Sequence, residues 1–196
     1  MSLIPDKPPF KLLDILYKKE FVLFVVLVSI LIINSNISPY FLDLYNLIDS
    51  TFLFSEKAII ALTMTFVIIA RQIDLSVASI IAVSSVVLGY TTSLGYDTWL
   101  VLLLTLLSGA LCGAFNGAII TKFAIPSIIV TIGTMSLFRG LAYSFLEDSY
   151  YNKFPKLVGK LGGGYLYGYI PYAFLTFILL AFVFAFILHK TSVGKK

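Results

Sequence analysis

Few side chains in this chain are able to do chemistry, because most of it is apolar. Arg71 and Asp74 stand three residues apart in Ala70-Arg-Gln-Ile-Asp-Leu-Ser-Val-Ala-Ser79, with the apolar run 58–70 before them and another after. Ser76 is placed to cap the helix that follows, and Asp74 adds negative charge near that helix's positive end. If the backbone stayed helical, Arg71 and Asp74 would pair. Charges within a bilayer are expensive and mark ion or substrate pathways. The stretch therefore has two readings: a capped turn at the cytoplasmic surface, or a polar element that lines or gates a pathway.

A second polar site starts at Pro126, which suits the first turn of a helix because its missing N–H goes unused there. Ser127, Thr131 and Thr134 follow at i, i+4 and i+7 and form one hydroxyl stripe. Such a stripe can contact a polyol or bond back to its own helix. Arg139 lies beyond it, an interfacial anchor by position. Upstream, Asn116 needs a partner inside a helix bundle. On the same segment Gly109, Gly113 and Gly117 recur every four residues, letting another backbone approach closely. That face admits packing within the chain, a dimer contact or a substrate-facing seam. One cysteine, Cys112, and one histidine, His189, cannot build a zinc cluster or a Cys/His nucleophile pair. No GxxxxGK[ST] loop is present, so neither a nucleotide nor any other cofactor is expected.

The elements that must position these residues are membrane helices. Hydrophobic residues make up 59% of the chain and charged residues 12%, with a mean hydropathy of +0.99. A soluble domain is nearer half apolar and about a quarter charged. The apolar runs lack the strict alternation of a porin-type barrel, so the fold class is all-α, a polytopic helical membrane protein embedded in the lipid bilayer. Six segments are predicted to span: 21–37, 53–70, 77–92, 99–121, 125–145 and 172–188, following a basic segment 1–20, all within a single domain over 1–196. The net charge of +4 comes from lysines beside the spans, a topology signal, and no nucleic-acid partner is expected.

Placing Lys7, Lys11, Lys18 and Lys19 in the cytoplasm puts both chain ends there, with Arg71 and Lys122. Segment 34–52, the Gly95-Tyr96-Asp97 turn and loop 146–171 then lie outside. The glycine- and tyrosine-rich 162–172 reads as an interfacial or re-entrant segment. At about 1.5 Å per residue the apolar part of the second segment, 58–70, covers only about 20 Å and the third about 24 Å, against a hydrocarbon core of about 30 Å. Short helices meeting at polar residues are the pattern of broken helices beside a binding pathway.

Together, "IDLSVAS" (73–79), "GAFNGAIITKFAIPSIIVTIGTMSLFRGLAY" (113–143) and "LHKTSVGKK" (188–196) resemble permease subunits of bacterial ABC importers for monosaccharides, relatives of the ribose permease. The likeness runs from about Ala58 to Lys196. Many members carry two glycines where Arg71 and Gln72 stand and a glycine at Ala78. That departure weakens a glycine-based case for a broken helix and tilts toward the branch for rhamnose and autoinducer-2, the rhamnose type first.

The resemblance implies the N-terminal part of a type II-like importer permease in the bacterial plasma (inner) membrane. Its implied partners are a second permease copy or homologue, cytoplasmic ABC ATPases that hydrolyse the ATP, and a periplasmic or lipid-anchored sugar-binding protein. Members usually continue past "LHKTSVGKK" into a cytoplasmic coupling loop and further spans, so a C-terminally truncated permease is expected. A membrane scaffold that transports nothing and an intramembrane enzyme are the alternatives.

Overall fold

The structure, a computed structural model, describes residues 19–146 and 150–190. The chain forms two compact units, Met1–Ile48 and Asp49–Lys196. The first contains α1 (Lys19–Ile37), none of whose residues is buried. Its polar side chains turn back on their own helix: Ser29 Oγ donates to the Val25 carbonyl at 2.8 Å and Asn36 Nδ2 to the Ile32 carbonyl at 2.7 Å. Hydrocarbon offers no other acceptor, so a lipid-facing helix must satisfy such groups internally.

The helix α2 (Leu44–Ile69) begins nine residues before the predicted start. Asp43 explains the difference: its side chain accepts from the Tyr45 N–H at 3.1 Å and its carbonyl from the Leu47 N–H at 3.0 Å, which caps a turn there. With 26 residues, α2 reaches about 39 Å, so it is not one of two short spans. Only α3 (Val77–Ser93) is short, with 17 residues. It is followed by α4 (Thr98–Phe123) and α5 (Ser127–Leu146). Asp97 caps α4 by accepting from the Trp99 N–H at 3.0 Å. The other predicted boundaries lie within a few residues of these.

The loop after α5 is more ordered than a plain connection. It contains α6 (Lys156–Gly163) and a two-stranded antiparallel hairpin of β1 (Tyr165–Leu166) and β2 (Ile170–Pro171), with Tyr165 opposite Pro171 and Leu166 opposite Ile170. Tyr167 and Gly168 turn it with positive φ of 51° and 78°, as a tight hairpin turn requires. The Tyr165 hydroxyl donates to the Asp49 carboxylate. The last described helix is α7 (Tyr172–Lys190). Among the described residues α1, α2, α4, α5 and α7 are long and apolar enough to cross a bilayer, and α3 is a shorter apolar helix.

The core of the second unit is α3 packed against both α4 and α5. Its interior is largely polar and small: Ser76, Ser79, Thr91, Asn116, Ser127, Thr131 and Thr134 are buried, while Leu103, Leu106 and Phe182 are exposed. This inversion suits a solvent as apolar as leucine, in which helices associate through close packing and hydrogen bonds. Helix α7 meets α2 through ring edges, Phe66 against Phe184 with centroids 5.1 Å apart and Phe54 against Phe177 at 6.2 Å.

Candidate functional site

The chain leaves the helical path at Arg71. The Gln72 N–H donates to the Val67 carbonyl at 3.0 Å and the Arg71 N–H to the Ile68 carbonyl at 2.9 Å. Arg71 has φ 57°. This is the paired-bond helix stop that usually places glycine in the left-handed position. The helix is therefore broken even though arginine stands where glycine is usual. The break also removes the pairing expected of a continuous helix: Arg71 is exposed and makes no ion pair with Asp74.

Beyond the break the backbone of Ile73 has lost its helical partners, and α5 supplies replacements. Ser127 Oγ accepts from the Ile73 N–H at 3.0 Å, and Thr131 Oγ1 donates to the Ile73 carbonyl at 3.3 Å. Unwound backbone inside a membrane persists only where neighbouring groups satisfy it in this way. Thr134 Oγ1 stays on its own helix, 3.5 Å from the Thr131 carbonyl. Two of the three stripe hydroxyls thus clamp the junction.

Asp74, Ser76 and Asn116 form a second set. Asp74 Oδ1 accepts from both the N–H of Ser76, at 2.8 Å, and its hydroxyl, at 2.6 Å. Asn116 Nδ2, from α4, donates to Ser76 Oγ at 2.8 Å. Ser76 occupies the N-cap position of α3 but makes no side-chain cap bond. Its hydroxyl donates to Asp74 and accepts from Asn116, so the amide from α4 takes the place of the expected backbone donor. Since Ser76 has one hydroxyl proton and gives it away, the Asn116 group facing it is the NH2, and the amide carbonyl is turned elsewhere. That Oδ1 is buried without a partner, in a residue only 4% exposed.

A cleft of about 320 Å³ opens beside this network, lined by Phe66, Gln72, Asp74, Gly113, Asn116 and Gly117, with Ser127 and Thr131. The three glycines of α4 have different surroundings. A β-carbon on Gly109 would stand 3.2 Å from Ser84 Oγ, so this glycine packs against α3. At Gly113 and Gly117 nothing lies within 4 Å, and both border the cleft. Cys112 is a free, half-buried thiol, and no group of three or more metal-ligating side chains occurs among the described residues. The role of the Ile73 backbone was not foreseen from sequence, although hydroxyls at i and i+4 directly after Pro126 were its signal.

Residues 46–196 match the family described as "Branched-chain amino acid transport system / permease component". Similar proteins include the autoinducer 2 import system permease protein LsrC of Escherichia coli O9:H4, 35% identical over 137 residues, or 70% of this chain and 40% of that protein. The Shigella flexneri protein of the same name is 36% identical with the same coverage. That of Photorhabdus laumondii is 33% identical over 172 residues, 86% of this chain and 51% of the relative. The chain spans about half, or less, of the length of these curated relatives. They are named for autoinducer 2, and the tilt toward a rhamnose-type branch finds no support in them. No solved structure matches the chain. With a matching region that covers α3 to α7 and nearly all of α2, the chain belongs to the branched-chain amino acid transport system permease family, as an all-α, multi-pass membrane permease.

Proposed function

We propose that the chain is a membrane-spanning part of an ATP-driven importer for a small hydroxylated molecule, a monosaccharide or a furanosyl signal of the autoinducer-2 kind. In this reading Asp74, Ser76 and Asn116 form a polar gate at the cytoplasmic end of the pathway, with Ser127 and Thr131 holding the broken helix in place and Thr134 one turn further along the same hydroxyl stripe. Arg71 lies at the same end, exposed toward the cytoplasm. Gly113 and Gly117 leave a seam through which a small solute passes. ATP hydrolysis belongs to a cytoplasmic ABC ATPase, delivery to an external sugar-binding protein, and a second permease copy or homologue completes the pathway. The location is the bacterial inner membrane, with both chain ends inside.

The observation that carries the gate is the buried Asn116 carbonyl without a donor, at the edge of a cleft that also borders Asp74. Buried acceptors are almost always paired, and one left open within an ordered network marks a place where a partner arrives or the packing changes. The family and the printed names of the relatives support the substrate class.

The test is uptake of labelled autoinducer 2 and labelled rhamnose in cells that carry this chain with its binding protein and ATPase. Asp74→Ala and Asn116→Leu are each expected to lower uptake roughly tenfold, the loss of about one hydrogen bond at the gate, charge-assisted for Asp74 and neutral for Asn116, without lowering the protein level in the membrane. Full uptake in both variants rejects the gate. Absence of uptake with the unaltered chain favours the scaffold that transports nothing.

A further inference from the structure

Two adjoining clefts lie at the far ends of α3 and α5, away from the junction and unused by it. The larger, about 430 Å³, is lined by Ser85, Arg139, Tyr143, Tyr150, Tyr151 and Phe154, together with apolar residues. The second, about 400 Å³, shares Tyr150 and Tyr151 and adds Thr92, Asn152 and Lys153. Their common wall is fixed by a close approach. Gly89 is buried, and a β-carbon there would lie 2.5 Å from the Tyr151 ring. Only glycine lets the 150–154 segment lie down on α3.

Arg139 sits on α5 with Ile132, Met135, Leu137, Phe138 and Leu141 around it in sequence. It makes no hydrogen bond or ion pair with another described residue. It is exposed in the last two turns of α5, where its long side chain reaches the interface with five donors available to a partner. Here it borders a cleft within the size range of small-molecule sites. The lining combines four aromatic rings with the donors of Arg139, Lys153 and Asn152, and the described lining residues include no carboxylate.

We propose that these clefts bind a monosaccharide-sized polyhydroxylated ring. Aromatic faces accept the C–H face of such a ring, and guanidinium, ammonium, amide and phenol groups donate to its hydroxyl oxygens. An acyl chain would fill the volume but leave the arginine, the lysine and Asn152 without partners. The site is separate from the gate; it rests on the proposed import function for the substrate class alone.

Saturation-transfer NMR of the chain in lipid nanodiscs, with D-ribose and L-rhamnose as probes, tests it. Transfer to the ring protons of at least one probe is expected. It should fall roughly fivefold in Tyr151→Ala and in Arg139→Gln, and comparably in Gly89→Val, which evicts Tyr151 without touching a ligand-facing group. Tyr151→Phe, which keeps the ring, should retain most of the signal. Each variant is compared at unchanged helical circular dichroism, and the conservative Tyr151→Phe keeps the comparison alive if a larger change unfolds the chain. The variant Glu147→Gln/Asp148→Asn, altering acids next in sequence to the cleft residues, should leave the signal intact; if it mirrors Arg139→Gln, the arginine serves a local ion pair and the proposal falls. Absence of transfer to either ring in the unaltered chain also overturns it. Asp74→Ala should lower uptake and leave ring contact unchanged, so failure of this site and failure of the gate are separable.

Discussion

At the scale of single residues, Ser76 is the joint on which the polar network turns. Its hydroxyl gives one proton to Asp74 and takes one from Asn116. Ser76→Ala removes both bonds and leaves the whole amide of Asn116 buried without partners. Stranding such a group costs about 1–3 kcal/mol, toward the low end in membranes, where the unfolded chain also finds partners. Replacing both residues, Ser76→Ala with Asn116→Leu, removes the stranded amide as well and should recover most of that loss. Unfolding in mixed micelles followed by helical circular dichroism reads the difference. Equal losses in the single and double variants would mean that the amide gains nothing from the serine.

At the scale of elements, the decisive feature is the stop at the end of α2. Arg71 holds a left-handed conformation that costs a residue with a β-carbon roughly 1–2 kcal/mol. Arg71→Gly should therefore leave the junction intact and raise stability by up to about 1 kcal/mol, less the entropy glycine adds to the unfolded chain. Arg71→Val, β-branched at the same φ, should lower it. Urea unfolding in micelles checks both, and a drop in stability for the glycine variant would show that the arginine side chain itself holds the junction. The comparison also explains what sequence could convey. Six apolar runs, each bounded by charge, proline or glycine, coincide with α1 to α5 and α7, five of them long and apolar enough to cross a bilayer, because hydropathy reports directly on the lipid solvent. The start of α2 was hidden because Asp43 and the mixed stretch after it look like a loop until the cap is seen. The helix break was obscured for the opposite reason: its usual marker, glycine, is absent although its backbone is present. Asp74, Ser76, Asn116, Ser127 and Thr131 were recognisable as polar residues out of place, but their partners are far along the chain. The bond from Asn116 to Ser76 spans 40 residues and that from Ile73 to Ser127 spans 54, and no local periodicity encodes either.

At the scale of the whole molecule, the proposed gate is cytoplasmic only if the chain is inserted as its charges direct. Arg71 lies between α2 and α3, Lys122 in the last turn of α4, and His189 and Lys190 in the last turn of α7. Alternation of the spans places all of them on one side, with Asp43 and Asp97 at the other ends of their helices. Lys153, Lys156 and Lys160 fall on that second side, against the trend. They belong to the longest connection, and orientation is set mainly by basic residues in short loops close to the spans. The arrangement of Arg71 and Lys122 should therefore prevail. Cys112 is the only cysteine, so a Cys112→Ala background with one introduced cysteine makes each position readable. Tyr96→Cys, in the exposed turn before α4, is expected to react with a membrane-impermeant maleimide in intact spheroplasts. Lys122→Cys and Arg71→Cys should react only after permeabilisation. The reverse pattern would place the Asp74–Ser76–Asn116 network on the external side, where it would meet the solute before the pathway and not after it. The gate would then become an entry site, and the aromatic clefts at the opposite end would face the cytoplasm.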